Sequence, residues 1–227
     1  DADGLGTISY QWNRDGTAIT GATGNQYTTT QDDVDSVISV TARYTDGDGT
    51  DEAVDSAATA AVIAVNDAPT VNATATDSGT EDTDQVYSFA ELLTLIGAAD
   101  VDDADSALTV SISNVTNGEV TLSGGSGGNG TTFTFTPTSN FVGDLTFDYQ
   151  VSDDESATSA VGTATVTLAP VNDAPQGSVS IDNTAPAEGN TLTASNTLAD
   201  ADGLGTISYQ WNRDGTAITG ATGNQYT

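Results

Sequence analysis

A 28-residue segment occurs twice in this sequence of 227 residues without a single change, at residues 1–28 and at residues 200–227. Identity over this length cannot arise by chance or convergence, so we expect a repeating unit of 199 residues followed by the start of its next copy. A second marker, VNDAP, occurs at Val65–Pro69 and at Val171–Pro175 and divides the unit into two pieces of small-domain size. The sequence therefore predicts a tandem array in which two kinds of domain alternate.

The hydropathy pattern of both pieces is typical of β-strands. Short runs rich in Val, Ile, Thr, Tyr and Phe alternate between apolar and polar positions, and turns of Gly, Asn and Asp separate them. Such runs lie at residues 7–13, 37–45, 107–114, 131–136, 145–152 and 160–169. The pattern predicts an all-β fold of antiparallel β-sandwiches throughout.

Two segments depart from this pattern. Phe89–Ile96 has helical spacing, and its short length predicts a single packed turn between strands. The glycine-rich segment Gly124–Gly130 lies between two strand-like runs. Because no helix follows it, we interpret it as a hairpin loop and not as a phosphate-binding loop.

The charge balance excludes several classes of partner and of enzyme. Thirty-three acidic residues face only three basic ones, a net charge of −30, which disfavours nucleic acid and anionic membranes and favours multivalent cations. The absence of His and Cys excludes Ser-His-Asp and Cys-His catalysis, the usual zinc sites and a disulfide framework. No apolar run approaches the roughly 20 residues of a membrane helix, so we predict no direct membrane insertion.

The first piece resembles an immunoglobulin-like domain. Tyr10-Gln11-Trp12 with the following Arg14-Asp15-Gly16 resembles strand C and its turn, with Trp12 as the central core aromatic residue. Val37–Thr45 and the turn after it resemble strand F and the F–G turn, and the opening strands of such a domain occur at residues 177–198. Residues 1–64 are thus expected to lack the first strands of this domain, and residues 173–227 to form the first half of its next copy.

The middle piece, residues 65–172, resembles the cadherin-like tandem repeats of large bacterial surface proteins. The resemblance is carried by Gly79–Thr83, Asp100–Asp105, Phe135–Pro137, Asn140–Gly143 and Tyr149–Asp154. Together the two resemblances imply a giant repetitive adhesin of the RTX or biofilm-associated type, exported to the cell surface and folded in calcium-rich surroundings. The glycine–aspartate nonapeptide of the secretion tail of such proteins does not occur in this sequence.

Acidic and amide side chains are predicted to gather where successive domains meet. In a seven-strand sandwich the B–C and F–G turns lie at the upstream pole, and the A–B and E–F turns lie at the downstream pole. Candidate calcium ligands at the first junction are Asp32, Asp33, Asp35, Asn66, Asp67, Asp100, Asp102, Asp103, Asp105, Asp153 and its neighbour Asp154. Those at the second junction are Glu81, Asp144, Asn172, Asp173, Asp200 and Asp202.

Calcium suits these residues because it takes about six to eight hard oxygen ligands in loose geometry. Without a cation, two close carboxylates repel each other by roughly 4 kcal/mol at an effective dielectric constant near 20. The alternative is an acidic, salt-adapted surface that binds no metal.

The function predicted from these features is that of a structural extender repeat, stiffened by calcium at each junction of an extended rod. It would support cell adhesion and biofilm formation in an extracellular or surface-bound filament. Its partners would be neighbouring repeats of the same chain or identical chains joined head to tail. The alternatives are an immunoglobulin-like module that binds a glycan or protein, and a glycosidase using two carboxylates. The catalytic alternative is disfavoured, because so many acids make some close pair inevitable.

Overall fold

The computed structural model describes residues 4–227. Residues 1–3, the first three of the repeated segment, lie outside that range. Residues 4–64 contain the strands β1 (Ser9–Arg14), β2 (Thr17–Ala18), β3 (Ile38–Thr45) and β4 (Asp51–Asp55). The middle unit contains β5 (Thr74–Thr80), β6 (Gln85–Ser88), α1 (Phe89–Ile96), β7 (Thr109–Thr116), β8 (Gly118–Ser123), β9 (Thr132–Pro137), β10 (Gly143–Ser152) and β11 (Gly162–Ala169). The last residues contain β12 (Val179–Ile181), β13 (Leu192–Asn196), β14 (Asn212–Arg213), β15 (Thr216–Ala217) and β16 (Gln225–Tyr226).

The middle unit is a β-sandwich of two sheets, which confirms the predicted fold class. One sheet has the strand order β5-β11-β10-β7 and the other has the order β6-β9-β8. Alternate residues of the strands point inward, so Phe135 of β9 and Phe147 of β10 stack between the sheets with ring centroids 4.2 Å apart. The fully buried side chains around them include Leu92, Ile96, Phe133, Leu145, Tyr149 and Val166.

The structure differs from the sequence-based expectation in two elements of this unit. Strand β5 pairs with β11 in parallel, so the sheets are not antiparallel throughout. The reason is that both strands run from the upstream to the downstream end, where the Glu81 N–H donates to the Ala169 carbonyl. Phe89–Ile96 is a true α-helix and not a single turn, because Ser88 and Glu91 form a capping box and Gly97 ends the helix at φ 62°.

The predicted hairpin loop is confirmed, since β8 and β9 pair antiparallel on either side of residues 124–131. Gly127 is one position in this loop where the backbone requires glycine. It has φ 114°, and a Cβ atom there would lie 2.3 Å from the Val110 carbonyl oxygen.

The two flanking units each contain less core than the middle unit. Residues 4–64 form one sheet of order β2-β1-β3-β4, in which Ile38 is buried. Trp12 is only partly buried, in contrast to the predicted central core position, because a single sheet leaves one side of the indole uncovered. Residues 176–227 form the sheet β12-β13-β16 and the short hairpin β14-β15, with Ala194 and Trp211 buried.

Candidate metal sites at the two junctions

Both junctions use the same backbone arrangement, although the units that follow them differ. The N–H of Asp67 in the first linker donates to Asp102 Oδ2 at 2.8 Å. The N–H of Asp173 in the second linker donates to Asp202 Oδ2 at 2.7 Å. Each linker therefore bonds to an aspartate in the turn of the unit that follows.

These turns are built locally by an Asp-x-Asp sequence. Asp100 Oδ1 accepts hydrogen bonds from the N–H groups of Asp102 and Asp103, at 2.8 and 3.0 Å. Asp200 Oδ1 accepts from the Asp202 N–H at 3.0 Å in the same way. Such aspartate turns use one carboxylate oxygen for the backbone and leave the other oxygen free for a further partner.

The first junction gathers carboxylates in two overlapping groups. Asp100, Asp103 and Asp153 each offer an oxygen within 4.8 Å of the others. Asp103 also forms such a group with Asp154 and Glu155. Asn66 of the linker joins the first group, because its Nδ2 donates to Asp153 Oδ2 at 2.9 Å.

Two carboxylate oxygens of this cluster are buried without any hydrogen-bond partner in the structure, Asp100 Oδ2 and Asp103 Oδ2. A buried oxygen that carries part of a negative charge is costly to leave unpaired. Both residues belong to the group of three acids that also holds Asp153. Their burial and their proximity fit a cation with oxygen ligands.

The pKa values of two acids in the first cluster show that neighbouring carboxylates repel one another. Burial raises the pKa of Asp103, and the carboxylates of Asp154, Asp100, Asp153 and Asp102 raise it further. The pKa of Glu155 rises to about 6, chiefly through its hydrogen bond with Asp154, followed by burial and the repulsion of nearby acids. Each acid thus raises the cost of ionising its neighbours, and a multivalent cation would reverse this effect.

The second junction brings together Glu81, Asp82 and Asp173, each with an oxygen within 4.8 Å of the others. Glu81 is buried, and its Oε1 accepts from the Val171 N–H at 2.9 Å. Burial raises the pKa of Asp173, as do the carboxylates of Asp82, Asp202, Glu81 and Asp200. The second linker therefore lies between acids of the unit before it and acids of the unit after it.

Asn140 adds an amide to this second cluster. One polar atom of its side chain lies 3.1 Å from both Asp82 Oδ2 and Asp173 Oδ2. Without a cation the amide nitrogen must face these two acceptors, whereas a shared cation would draw the amide oxygen into the same position. The Asn140 side chain can therefore contact these two acids without a cation or share a cation with them, by rotation of its amide group.

Asp33 does not take part in the first junction. Its buried carboxylate accepts from Arg14 Nε at 2.7 Å, from the Tyr27 hydroxyl at 2.8 Å and from the Thr30 N–H at 2.8 Å. Burial alone would raise its pKa, but these hydrogen bonds outweigh it and lower the pKa to about 2. Asp33 thus holds residues 4–64 together, a structural role in place of the predicted metal-ligand role.

The remaining predicted ligands also lie outside the acid clusters found within residues 4–227. Asp144 accepts from Thr167 on the neighbouring strand, and Asp105 begins a short exposed 3₁₀ helix. Asn172 donates to the carbonyl of Asp173. Asp32 and Asp35 are exposed in the turn after Thr30. From that turn the structure brings Gln31 to the junction instead, with its Nε2 2.7 Å from Asp102 Oδ1.

Sequence reasoning missed four of the residues at the junctions, Gln31, Asp82, Asn140 and Glu155. Asp82 and Glu155 each lie next to a residue that was singled out, so a wider window around each acidic turn would have found them. Asn140 begins the segment Asn140–Gly143 that carries the family resemblance, although it was not predicted as a ligand, and no local signal distinguishes Gln31 from other exposed amides.

Comparisons with known proteins agree with this architecture. Residues 65–169 match the family model of the Cadherin-like domain, and this middle unit is a cadherin-like β-sandwich domain. The search of curated proteins gives no match.

Solved structures resemble the chain only at low sequence identity. EC1–2 of human mucin-like protocadherin is 20% identical over 72% of this chain and 85% of its own, with a TM-score of 0.42. Cadherin domains 1–5 of protocadherin gamma B2 are 13% identical over 98% of this chain and 45% of their own, with a TM-score of 0.43. An endo-fucoidan hydrolase of glycoside hydrolase family 107 is 15% identical over 74% of this chain, with a TM-score of 0.36. The chain spans 24% of that hydrolase.

Proposed function

We propose that this protein is a structural, calcium-binding repeat of an extracellular adhesive rod, in which each cation lies where two units meet. The observation that carries the proposal is the pair of buried, unpartnered oxygens of Asp100 and Asp103 beside the first linker. The cadherin-like match of the middle unit supports both the adhesive class and the extracellular location. Between residues 4 and 227, no helix is long and apolar enough to cross a membrane.

The residues that would hold calcium differ in number between the two junctions. At the first, the ligand oxygens would come from Asp100, Asp103 and Asp153, with Asp154 and Glu155 beside them. At the second, they would come from Glu81, Asp82 and Asp173, with the amide of Asn140. Bound calcium would neutralise acids that otherwise repel one another, and the linker prolines would restrict the backbone next to it.

A rod that is stiffened at its junctions separates whatever lies at its two ends, which suits an extender of a cell-surface or biofilm adhesin. The identical segments at residues 1–28 and 200–227 support this function, because copying a unit adds length. A catalytic or specific binding site would gain little from such copies. The lack of His and Cys supports a role without catalysis.

Calcium titration of the full chain by isothermal calorimetry, after stripping with chelator, tests the proposal. We expect saturable binding of more than one ion, and magnesium should bind more weakly because it tolerates fewer protein ligands. Asp103→Asn should weaken binding at the first junction and Asp173→Asn at the second. Asp48→Asn, a change to an exposed acid in the turn between β3 and β4, is the matched control and should leave binding unchanged. Absence of calcium binding by the folded chain would leave only the acidic-surface alternative.

A further inference from the structure

The sequence contains two Asn-Gly pairs, Asn117-Gly118 and Asn129-Gly130. An asparagine that precedes glycine can react within the chain, because no Cβ atom obstructs the approach of the glycine nitrogen to the side-chain carbonyl carbon. Both pairs belong to the middle unit, one at the start of β8 and the other in the loop that follows this strand. The structure gives the two pairs very different surroundings.

Asn129 and Gly130 are both exposed in the loop between β8 and β9. The Thr131 N–H donates to the Gly128 carbonyl at 3.0 Å, so the pair occupies the two central positions of a four-residue turn. Gly130 has φ 88°, as at the third position of a type II turn. Within residues 4–227, neither the Asn129 side-chain amide nor the Gly130 N–H has a hydrogen-bond partner. No hydrogen bond therefore holds the two reacting groups apart.

Asn117 is also exposed, but its contacts fix it in place. Its Nδ2 donates to the Asp144 carbonyl at 2.9 Å, and its own carbonyl accepts from the Thr138 N–H at 2.9 Å. Gly118 is the first residue of β8, and a Cβ atom there would lie 2.7 Å from the Thr136 carbonyl oxygen. A reaction at Asn117 thus requires part of the sheet to open first.

We infer that Asn129 is a site of spontaneous deamidation, with water as the co-reactant. The Gly130 nitrogen attacks Asn129 Cγ, a C–N bond forms, and Nδ2 leaves as ammonia with the proton of the Gly130 N–H. The product is a five-membered succinimide ring. Water then breaks one of the two ring bonds to the Gly130 nitrogen. Breaking the bond to Cγ leaves aspartate, and breaking the bond to the main-chain carbonyl carbon leaves isoaspartate.

The isoaspartate product would change the loop as well as its charge. It adds one carbon to the main chain inside a turn whose ends are held. The Gly127 carbonyl accepts from the Val110 N–H at 2.9 Å, and the Gly127 N–H donates to the buried Thr131 hydroxyl at 3.1 Å. We expect the longer turn to strain these bonds and to loosen the loop from β7. The inference is independent of the proposed function, because none of these residues is a candidate calcium ligand.

Peptide mapping of the full chain tests the site. The folded chain is incubated in warm, mildly alkaline buffer and is then digested with chymotrypsin. Cleavage after leucine and phenylalanine releases residues 109–122, which contain Asn117, and residues 123–133, which contain Asn129. Deamidation adds the small mass of replacing NH by O. Residues 123–133 contain no Asp or Glu, so any aspartate or isoaspartate found there comes from Asn129.

The two Asn-Gly pairs serve as matched controls for each other. In the folded chain we expect Asn129 to react faster than Asn117 by roughly tenfold or more, because only Asn117 must first lose structural contacts. In guanidinium chloride the two pairs should react at similar rates, since they share the same dipeptide. Equal rates in the folded chain would overturn the inference, and so would an Asn129 that reacts only after unfolding.

Two variants separate the effect of the new charge from that of the longer main chain. Fresh Asn129→Asp carries the carboxylate without the extra carbon, whereas Asn129→Ala cannot deamidate at this position. After prolonged incubation, the unsubstituted chain should melt at a lower temperature than fresh Asn129→Asp, and Asn129→Ala should lose less. An aged chain that melts like fresh Asn129→Asp, or an equal loss in Asn129→Ala, would contradict the effect on the loop.

Discussion

Single carboxylates in this protein have opposite roles according to the donors around them. Asp33 is surrounded by an arginine, a tyrosine and a backbone N–H, and its pKa falls to about 2. Asp103 is surrounded by other acids, and its pKa rises. The same residue type therefore stabilises the fold directly in one place and lies among repelling acids in the other.

The lowered pKa of Asp33 predicts how the stability of residues 4–64 depends on pH. An unfolded aspartate has a pKa of about 3.9, so the stabilising contribution is complete above that value and is lost as the pH falls through about 2. We expect urea unfolding followed by Trp12 fluorescence, in a Trp211→Phe background, to show this loss. In Asp33→Asn this acid-dependent loss of stability should disappear, and residues 4–64 should be less stable at pH 7. In Asp48→Asn the stability should depend on pH as it does in the unsubstituted chain. An equal acid response in Asp33→Asn would contradict the assignment.

The position of Asn140 predicts that its substitution weakens calcium binding and leaves the stability of the calcium-free chain nearly unchanged. Asn140→Ala should weaken calcium binding at the second junction by roughly tenfold or more, which is the scale of losses at groups near a metal. The melting temperature in chelator should change little, because the amide then donates to Asp82 and Asp173 at an exposed site outside the core. Asn129→Ala, in the exposed hairpin loop, is the control for calorimetry and melting. Equal affinities of the two variants would remove Asn140 from the site.

At the scale of elements, the two sheets of the middle unit hold the acidic turns in position. β7 and β10 are neighbours, and the turns that carry Asp103 and Asp153 lie at the end of the sheet where β7 begins and β10 ends. We therefore expect the rigidity of the candidate metal site to depend on the packing of aromatic residues between the sheets. Phe147 stacks on Phe135 and meets Tyr149 edge to face, with centroids 6.4 Å apart.

Truncating this aromatic contact should therefore weaken both the fold and the site. Phe147 is fully buried, and we expect Phe147→Ala to lower the free energy of unfolding of the middle unit by about 3–5 kcal/mol. Val161→Ala, at a residue that is 58% exposed, should change it by less than about 0.5 kcal/mol. Chemical denaturation in excess calcium measures both variants. Calcium affinity should fall in the first and not in the second, and a Phe147→Ala protein of unchanged stability would contradict the packing described above.

At the scale of the whole molecule, the proposed function predicts that the stiffness of the rod depends on how the negative charges at each junction are neutralised. Strands of up to ten residues together with their end loops should make each domain about 40 Å long, so one repeat in an end-to-end rod should advance on the order of 80 Å. Removing calcium should lower the melting temperature and widen the distribution of lengths, because an ion that binds only the folded form stabilises it. Raising sodium chloride to about 1 M should restore part of the loss by screening the acids. Melting curves and small-angle scattering of the chain, in chelator or in calcium and at low or high salt, measure these two effects. If neither the melting temperature nor the scattering changes with calcium, the proposed junction sites are wrong.

Much of this architecture follows from local sequence alone. The identical segments and the VNDAP linkers give the repeat, the alternation of apolar residues gives the strands, and Asp-x-Asp gives the turns with their backbone hydrogen bonds. These features depend on residues that are close in sequence, so their physical causes can be recognised one segment at a time. The sequence thus placed Asn66, Asp100, Asp103, Asp153 and Asp173 at the junctions, and the structure brings each of them into an acid cluster or into contact with one.

The tertiary structure alone decided which distant groups meet. Three contacts join residues that are far apart in sequence. They are the ion pair of Arg14 with Asp33, the parallel pairing of β5 with β11, and the contact of Asn140 with Asp173. The repeated segment shows the physical reason most directly. The residues that form the six-residue strand Ser9–Arg14 beside β3 form only Asn212–Arg213 in the second copy. A strand exists where a neighbour supplies its hydrogen bonds, and identical sequences with different neighbours therefore form different amounts of strand.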